Sequence, residues 1–102
     1  MGGCRTSFVQ TSDEQVVVGE CRLVSIHAVL TGAATTTIKV FDVATSGDAG
    51  ASNEVARIVL RPAPESPQTI EYDMHSVVLR NGLFLEIPAS GGQGAAVSVE
   101  FS

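Results

Sequence analysis

Two alternating apolar runs near the end of the chain constrain its fold more than any other feature. In residues 82–87 and again in residues 97–101, every second residue is large and apolar. A period of two indicates β-strands, because successive side chains of a strand point to opposite faces. The glycine-rich stretch 91–94 between the runs predicts that they form an antiparallel hairpin.

Similar apolar runs, separated by turn residues, recur along the whole chain. The stretch 53–60 is ambiguous because Asn53 could cap a short helix, but Ile58-Val59-Leu60 favours a strand. The sequence therefore predicts an all-β fold, an antiparallel two-sheet sandwich that is jelly-roll-like and has about eight short strands. The spacing leaves the strand order open. The remaining strands are expected at residues 16–18, 21–30, 35–41, 70–74 and 77–79.

Two of these segments carry more specific predictions. Residues 21–30 are largely apolar at both odd and even positions, which is typical of a central strand covered on two sides. The dipeptide Asn81-Gly82 follows the strand at 77–79 and predicts a type I′ hairpin turn.

The length of 102 residues corresponds to one domain. Residues 1–15 are mostly polar and are predicted to be an N-terminal arm or an edge strand, and residues 16–102 to form a single β-sandwich domain. Within the arm, Phe8 and Val9 are the one apolar pair. Three prolines, Pro62, Pro64 and Pro67, make the link before residue 70 extended and unable to donate hydrogen bonds to a sheet.

The composition favours a protein that makes contacts. Apolar residues make up 44% of the chain and charged residues only 17%, against a usual charged fraction of about 25%. A thin two-layer core leaves some apolar side chains at the surface, where they favour a partner or a self-contact. The net charge of −5 and the scattered basic residues argue against binding to nucleic acid. No apolar run is long enough to span a membrane.

The residues that could carry chemistry form no recognised motif. A metal site would need His27 and His75 together with Asp73 and Glu71, at a spacing that matches no ligand pattern. The expectation is instead that His27 is a hydrogen-bonded core residue, that His75 lies in a surface turn, and that the two acids lie on the solvated face of a strand. We predict no catalytic, cofactor-binding or metal-binding residues, and hence no enzyme.

The two cysteines do not form a disulfide framework. Cys4 and Cys21 are expected to be reduced, although adjacent strands could bring them together for oxidation. A nucleophilic pair of Cys21 with His27 is excluded, because six residues along one strand span roughly 20 Å.

Residues 22–42 and 82–101 resemble small β-sandwich virion proteins of tailed bacteriophages, which include capsid decoration (cement) proteins and related head-fibre or tail modules. The resemblance rests on the strand Thr-Ile-Lys-Val-Phe-Asp and on the closing Gly-Leu-Phe-Leu and Ala-Val-Ser-Val segments. It implies a non-enzymatic protein of the virion that forms a homo-oligomer, with a trimer favoured, and that binds the major capsid protein or other virion proteins.

If this resemblance holds, part of the surface must contact other subunits. The candidate interface residues are Phe8 and Val9, which could add a strand to a neighbouring edge, and Pro62, Pro64 and Pro67 of the link. The alternative hypothesis is a tail fibre or spike module that binds host receptors or glycans.

Overall fold

The computed structural model describes residues 5–62 and 69–102, and this part of the chain consists of eight strands joined by loops. A loop between the fourth and fifth strands contains two single-turn 3-10 helices, Ser46–Asp48 and Ala51–Asn53. The predicted all-β fold is confirmed. The strands are β1 (Arg5–Thr6), β2 (Glu14–Val18), β3 (Cys21–Leu30), β4 (Thr36–Phe41), β5 (Glu54–Leu60), β6 (Thr69–Leu79), β7 (Gly82–Glu86) and β8 (Ala95–Phe101).

The strands form two four-stranded antiparallel sheets. The first sheet has the order β1-β8-β3-β6, and the second has the order β2-β7-β4-β5. The pairs β1·β8, β2·β7, β3·β6 and β4·β5 would exist in a single long hairpin with its tip between β4 and β5. Rolling that hairpin up adds the pairs β8·β3 and β7·β4. This arrangement is a jelly roll, so the predicted sandwich is confirmed together with its jelly-roll character.

The predicted hairpin between the last two apolar runs is wrong. Both runs are strands, but β7 lies in the second sheet and β8 in the first, so they do not pair. The loop 87–94 crosses from one sheet to the other. Alternation and a glycine-rich loop identify strands and a reversal of the chain, but they do not specify the pairing partner.

The type I′ hairpin predicted at Asn81-Gly82 is also wrong, since β6 and β7 belong to different sheets. The glycine is needed for close approach instead. A Cβ atom at Gly82 would lie 2.4 Å from the carbonyl oxygen of Val43 and 2.6 Å from that of Val17. No side chain fits where these three backbone segments meet.

Strand β3 is central in its sheet, as predicted, but only one of its faces is buried. The register shifts between Leu23 and Ser25 against both neighbours: β3 has one extra residue relative to β8, and β6 has extra residues relative to β3. Because of the extra residue in β3, the buried positions change from odd to even along the strand. Leu23, Ile26 and Ala28 are fully buried. The predicted coverage on two sides is therefore wrong, and the apolar residues at both parities reflect the bulge.

The core lies between the two sheets and takes side chains from both of them. A smaller cluster at one end joins Phe41, Val43 and Phe84, with 6.2 Å between the ring centroids of the two phenylalanines. The strand predicted at 53–60 is β5, and Asn53 belongs to the 3-10 turn before it. The main core includes Leu23, Ile26, Ala28, Val97 and Val99 of the first sheet and Ile38, Val40, Ile58, Leu60, Leu83 and Leu85 of the second.

Asp42 connects the end of β4 to the crossing between β6 and β7. Its carboxylate accepts backbone N–H bonds from Asn81 at 2.7 Å, from Arg80 at 3.1 Å and from Gly82 at 3.2 Å. The carboxylate thereby satisfies three backbone donors where the chain crosses from one sheet to the other.

Candidate functional site

The described part of the N-terminal segment lies along an edge of its own sheet. Arg5 is paired with Phe101 and Thr6 with Glu100, both in β8. Farther along, Gln10 and Val97 exchange two backbone hydrogen bonds of 2.7 and 2.8 Å. Within the predicted N-terminal segment 1–15, Arg5–Thr6 form β1, Gln10 makes a single bridge to β8, and residues 14 and 15 begin β2.

Phe8 and Val9 are pushed out of this edge by a bulge. The backbone N–H groups of Ser7 and Gln10 bond to the carbonyl oxygens of Val99 and Val97. The N-terminal segment therefore advances by three residues where β8 advances by two. Phe8 has a φ of 57°, in the left-handed region that is unfavourable for a bulky residue. The bulge leaves 74% of Phe8 and 66% of Val9 exposed. These two predicted interface residues form what we call the edge pair.

The hydroxyl of Ser7 stabilises the bulge from the inside. It accepts a hydrogen bond of 2.9 Å from the backbone N–H of Val99 and donates one of 2.8 Å to the carbonyl of Phe8. The side chain of Gln10 donates to the carbonyl of Ser7 at 2.7 Å. Polar contacts of this kind hold the backbone in place while the edge pair faces solvent.

The opposite edge of the first sheet is β6, and it also carries exposed apolar side chains. Tyr72 is 44% exposed, and Val77 and Val78 are exposed as well. Between these positions His75 and Ser76 both have φ values near +56° and form an outward bulge in the strand. The predicted contact residue Pro62 follows β5 and is half-buried, whereas Pro64 and Pro67 lie outside the described residues.

A polar cluster occupies the outer face of the first sheet. The register places Glu71 of β6 opposite His27 and Glu100 of β8 opposite Ser25. The Nδ1 atom of His27 lies 3.1 Å from Glu71 Oε2, and its Nε2 atom lies 3.4 Å from Ser25 Oγ. Ser25 donates a hydrogen bond of 2.5 Å to Glu100 Oε1. The cluster therefore links three neighbouring strands through their side chains.

A serine, a histidine and a carboxylate linked in this order also make up the catalytic triad of a hydrolase. The surroundings of this cluster do not suit nucleophilic attack by the serine. A triad serine must pass its proton to the imidazole, and donors must stabilise the oxyanion that forms. Here the hydroxyl of Ser25 is directed to Glu100, which is much closer to it than His27 is. A carboxylate beside the attacked carbonyl would raise the energy of an oxyanion. The cluster is better suited to holding strands together than to nucleophilic attack.

Each histidine lies beside a different acid of β6, His27 beside Glu71 and His75 beside Asp73. His27 was predicted to be a core residue, which is wrong, because its side chain is half-buried on the outer face beside Glu71. His75 is exposed, as predicted, although it lies in the β6 bulge, where its backbone N–H bonds to Asp73 Oδ1 at 2.8 Å. Within residues 5–62 and 69–102, no group of three or more histidine, cysteine or acidic side chains could hold a metal ion.

The solvated face predicted for Glu71 and Asp73 is confirmed, since both residues are exposed. Sequence reasoning missed Ser25 and Glu100. Alternation does place Ser25 and His27 on one strand, but the contact with Glu100 depends on β8 being the neighbour of β3, which no local pattern reveals.

Cys21 is a buried thiol at the start of β3. Burial, and then the nearby carboxylates of Asp42 and Glu20, raise its pKa, so the reactive thiolate is disfavoured. It has no disulfide partner among the residues that the structure describes, and Cys4 lies outside them.

No helix in the described residues is long and apolar enough to cross a membrane. No protein-family model, curated protein or solved structure matches the chain.

Proposed function

We propose that this chain is a structural protein of a virion, a capsid decoration (cement) protein that binds the assembled head and stabilises it. The observation that carries the proposal is the edge pair. Phe8 and Val9 are held out in solvent by a bulge with its own hydrogen bonds, at the open side of a sheet edge. A large apolar side chain kept exposed in this way is suited to contact with another protein.

The jelly roll adds a weaker argument by analogy. Viral capsid proteins use this architecture, but so do lectins and cupins. A fold alone does not assign a function. The resemblance of residues 22–42 and 82–101 to phage virion proteins favours the virion among these alternatives.

The mechanism requires no chemistry. A protein that binds the assembled shell more tightly than the free subunits shifts the equilibrium toward the shell by mass action. Fully burying one large apolar side chain contributes about 1.5–3 kcal/mol. Many copies bound to one shell multiply such modest contributions, since each additional contact is made within an existing assembly. The partner is the major capsid protein or another virion protein.

Co-sedimentation tests the proposal. The purified chain is mixed with undecorated shells and, separately, with host cells, and each mixture is centrifuged. We expect saturable binding to shells, and binding to cells alone would overturn the proposal. The double variant Phe8→Ser/Val9→Ser should bind shells at least about tenfold more weakly, which corresponds to the loss of about 1.4 kcal/mol. Val59→Ser, at an exposed apolar position of β5, is the matched control and should bind normally.

One observation favours the alternative, a tail fibre or spike module that binds glycans. Glu71 and Asp73 line a shallow depression together with Ser25 and Glu100. Carboxylates in an open depression can accept hydrogen bonds from the hydroxyl groups of a sugar. In this case Glu71→Gln/Asp73→Asn would weaken binding to cells, while Phe8→Ser would leave it unchanged.

A further inference from the structure

The first sheet ends at β1 on one side and at β6 on the other, and no described strand pairs with the outer side of either. Such edges offer backbone donors and acceptors to a further strand. Every neighbouring pair in this sheet is antiparallel. In two copies with the same orientation, β1 of one copy would therefore run antiparallel to β6 of the next, and the two sheets would continue into each other.

The exposed apolar residues of the two edges lie at the same level along the strand direction. The edge pair lies opposite residues 97–99 of β8. Through β3, those residues align with residues 70–72 of β6. The edge pair of one copy would thus meet Ile70 and Tyr72 of the next copy. Tyr72 is exposed and Ile70 is half-buried.

The charges of the two edges have opposite signs. Arg5 is exposed on β1, whereas Glu71 and Asp73 are exposed on β6. In the register set by β8 and β3, Thr6 lies level with Asp73 and Arg5 lies level with Val77. The contact of β1 with β6 therefore brings an arginine to within one residue of the position opposite an acid, although not directly opposite it.

We propose that copies of this chain associate head to tail, with β1 and the edge pair of one copy docked on β6 of the next. A contact between two different surfaces leaves one edge of each kind for a further copy. The inference deepens the proposed function, on which it rests for the larger assembly that the oligomer binds.

Two variants, each with one blocked edge, test the proposal. The first variant, Phe8→Asp/Val9→Asp, blocks the β1 side and leaves β6 intact. The second, Tyr72→Arg/Asp73→Arg, makes the β6 side repel Arg5 and leaves β1 intact. Val59→Asp on β5 of the second sheet is the control. The masses of the proteins in solution are measured by native mass spectrometry, and circular dichroism verifies that each variant retains its β-structure.

We expect the wild type and the control to have a multiple of the chain mass of 10.6 kDa, and each blocked variant alone to be a monomer. An equimolar mixture of the two variants should form a 1:1 dimer that grows no further, because one intact edge of each kind remains. A monomeric wild type would overturn the proposal, and so would a folded blocked variant that keeps the wild-type mass or a mixture without dimers.

The proposed function can fail separately. If the wild type forms the head-to-tail oligomer but does not sediment with undecorated shells, the oligomer stands and the capsid role is wrong. If the wild type is a monomer that still sediments with shells, the capsid role stands and the oligomer is wrong.

Discussion

Asp42 is the side chain that fastens the end of β4 to the crossing between β6 and β7, through three backbone hydrogen bonds. Partial burial alone would raise its pKa, but the backbone N–H donors of Asn81, Arg80 and Gly82 outweigh this effect, so the pKa is lowered from the ordinary value of 3.8. A carboxylate that accepts several backbone hydrogen bonds is stabilised in its ionised form. The ionised form therefore stabilises the crossing between the two sheets.

We predict that Asp42→Ala lowers the free energy of unfolding by about 1.5–3 kcal/mol, the range for hydrogen bonds to a charged group. Because the folded-state pKa lies below that of the unfolded chain, the stabilisation is fully present above pH 3.8 and is lost as the pH falls through the folded-state value. Urea denaturation of the wild type and the variant at pH 7 and at pH 3 measures both effects. An equal difference in unfolding free energy at the two pH values would contradict the role of the ionised carboxylate.

Gly82 is the residue at which the local pattern was most misleading. Asn-Gly predicts a hairpin turn. In the structure, glycine is required because a Cβ atom at this position would lie within 2.6 Å of two carbonyl oxygens. We predict that Gly82→Ala destabilises the fold by about 1–3 kcal/mol, the usual cost of overpacking. Gly47 has open space around its Cβ position, so Gly47→Ala is the control and should change the unfolding midpoint little. Similar midpoints for the two variants would refute this explanation.

At the level of strands, the sequence predicted positions better than partners. Alternating apolar residues located most of the longer strands, because burial of one face requires that period. The two strands predicted at residues 70–74 and 77–79 are one strand, β6, interrupted by the bulge at His75 and Ser76. The sheet that each strand joins depends on long-range packing. For this reason β7 and β8 were expected to pair with each other although they lie in opposite sheets. The bulge in β3 could not be predicted for a related reason. Apolar residues at both odd and even positions of a strand also fit a strand that is covered on both faces.

The candidate site was also predictable only in part, because its residues are local features but their surroundings depend on which strands are neighbours. Phe8 and Val9 could be singled out as an apolar pair in a polar segment. Their exposure depends on a bulge against β8, which the sequence does not encode in a local motif. The polar cluster around His27 likewise needs β8 and β6 on either side of β3.

The polar cluster leads to a prediction about chemistry. Because the Ser25 hydroxyl is directed to Glu100, we expect the protein to hydrolyse p-nitrophenyl acetate no faster than the Ser25→Ala variant does. The release of p-nitrophenol by both proteins at equal concentration is the measurement. A rate at least tenfold higher for the wild type would identify Ser25 as a nucleophile and would contradict the non-enzymatic proposal.

For the whole molecule, the central proposal is that the jelly roll acts through contacts and stabilises a larger assembly. The two sheets enclose one main core, while the edges of the first sheet carry exposed apolar and charged side chains.

The most direct test is the thermal disruption of undecorated shells, followed by light scattering as increasing amounts of the chain are added. Since a ligand of the assembled state stabilises it by mass action, the disruption temperature should rise with the concentration of the chain and level off when the sites are filled. The Phe8→Ser/Val9→Ser variant should need a higher concentration to produce the same rise. A disruption temperature that stays constant up to a large excess of the wild-type chain would contradict the account.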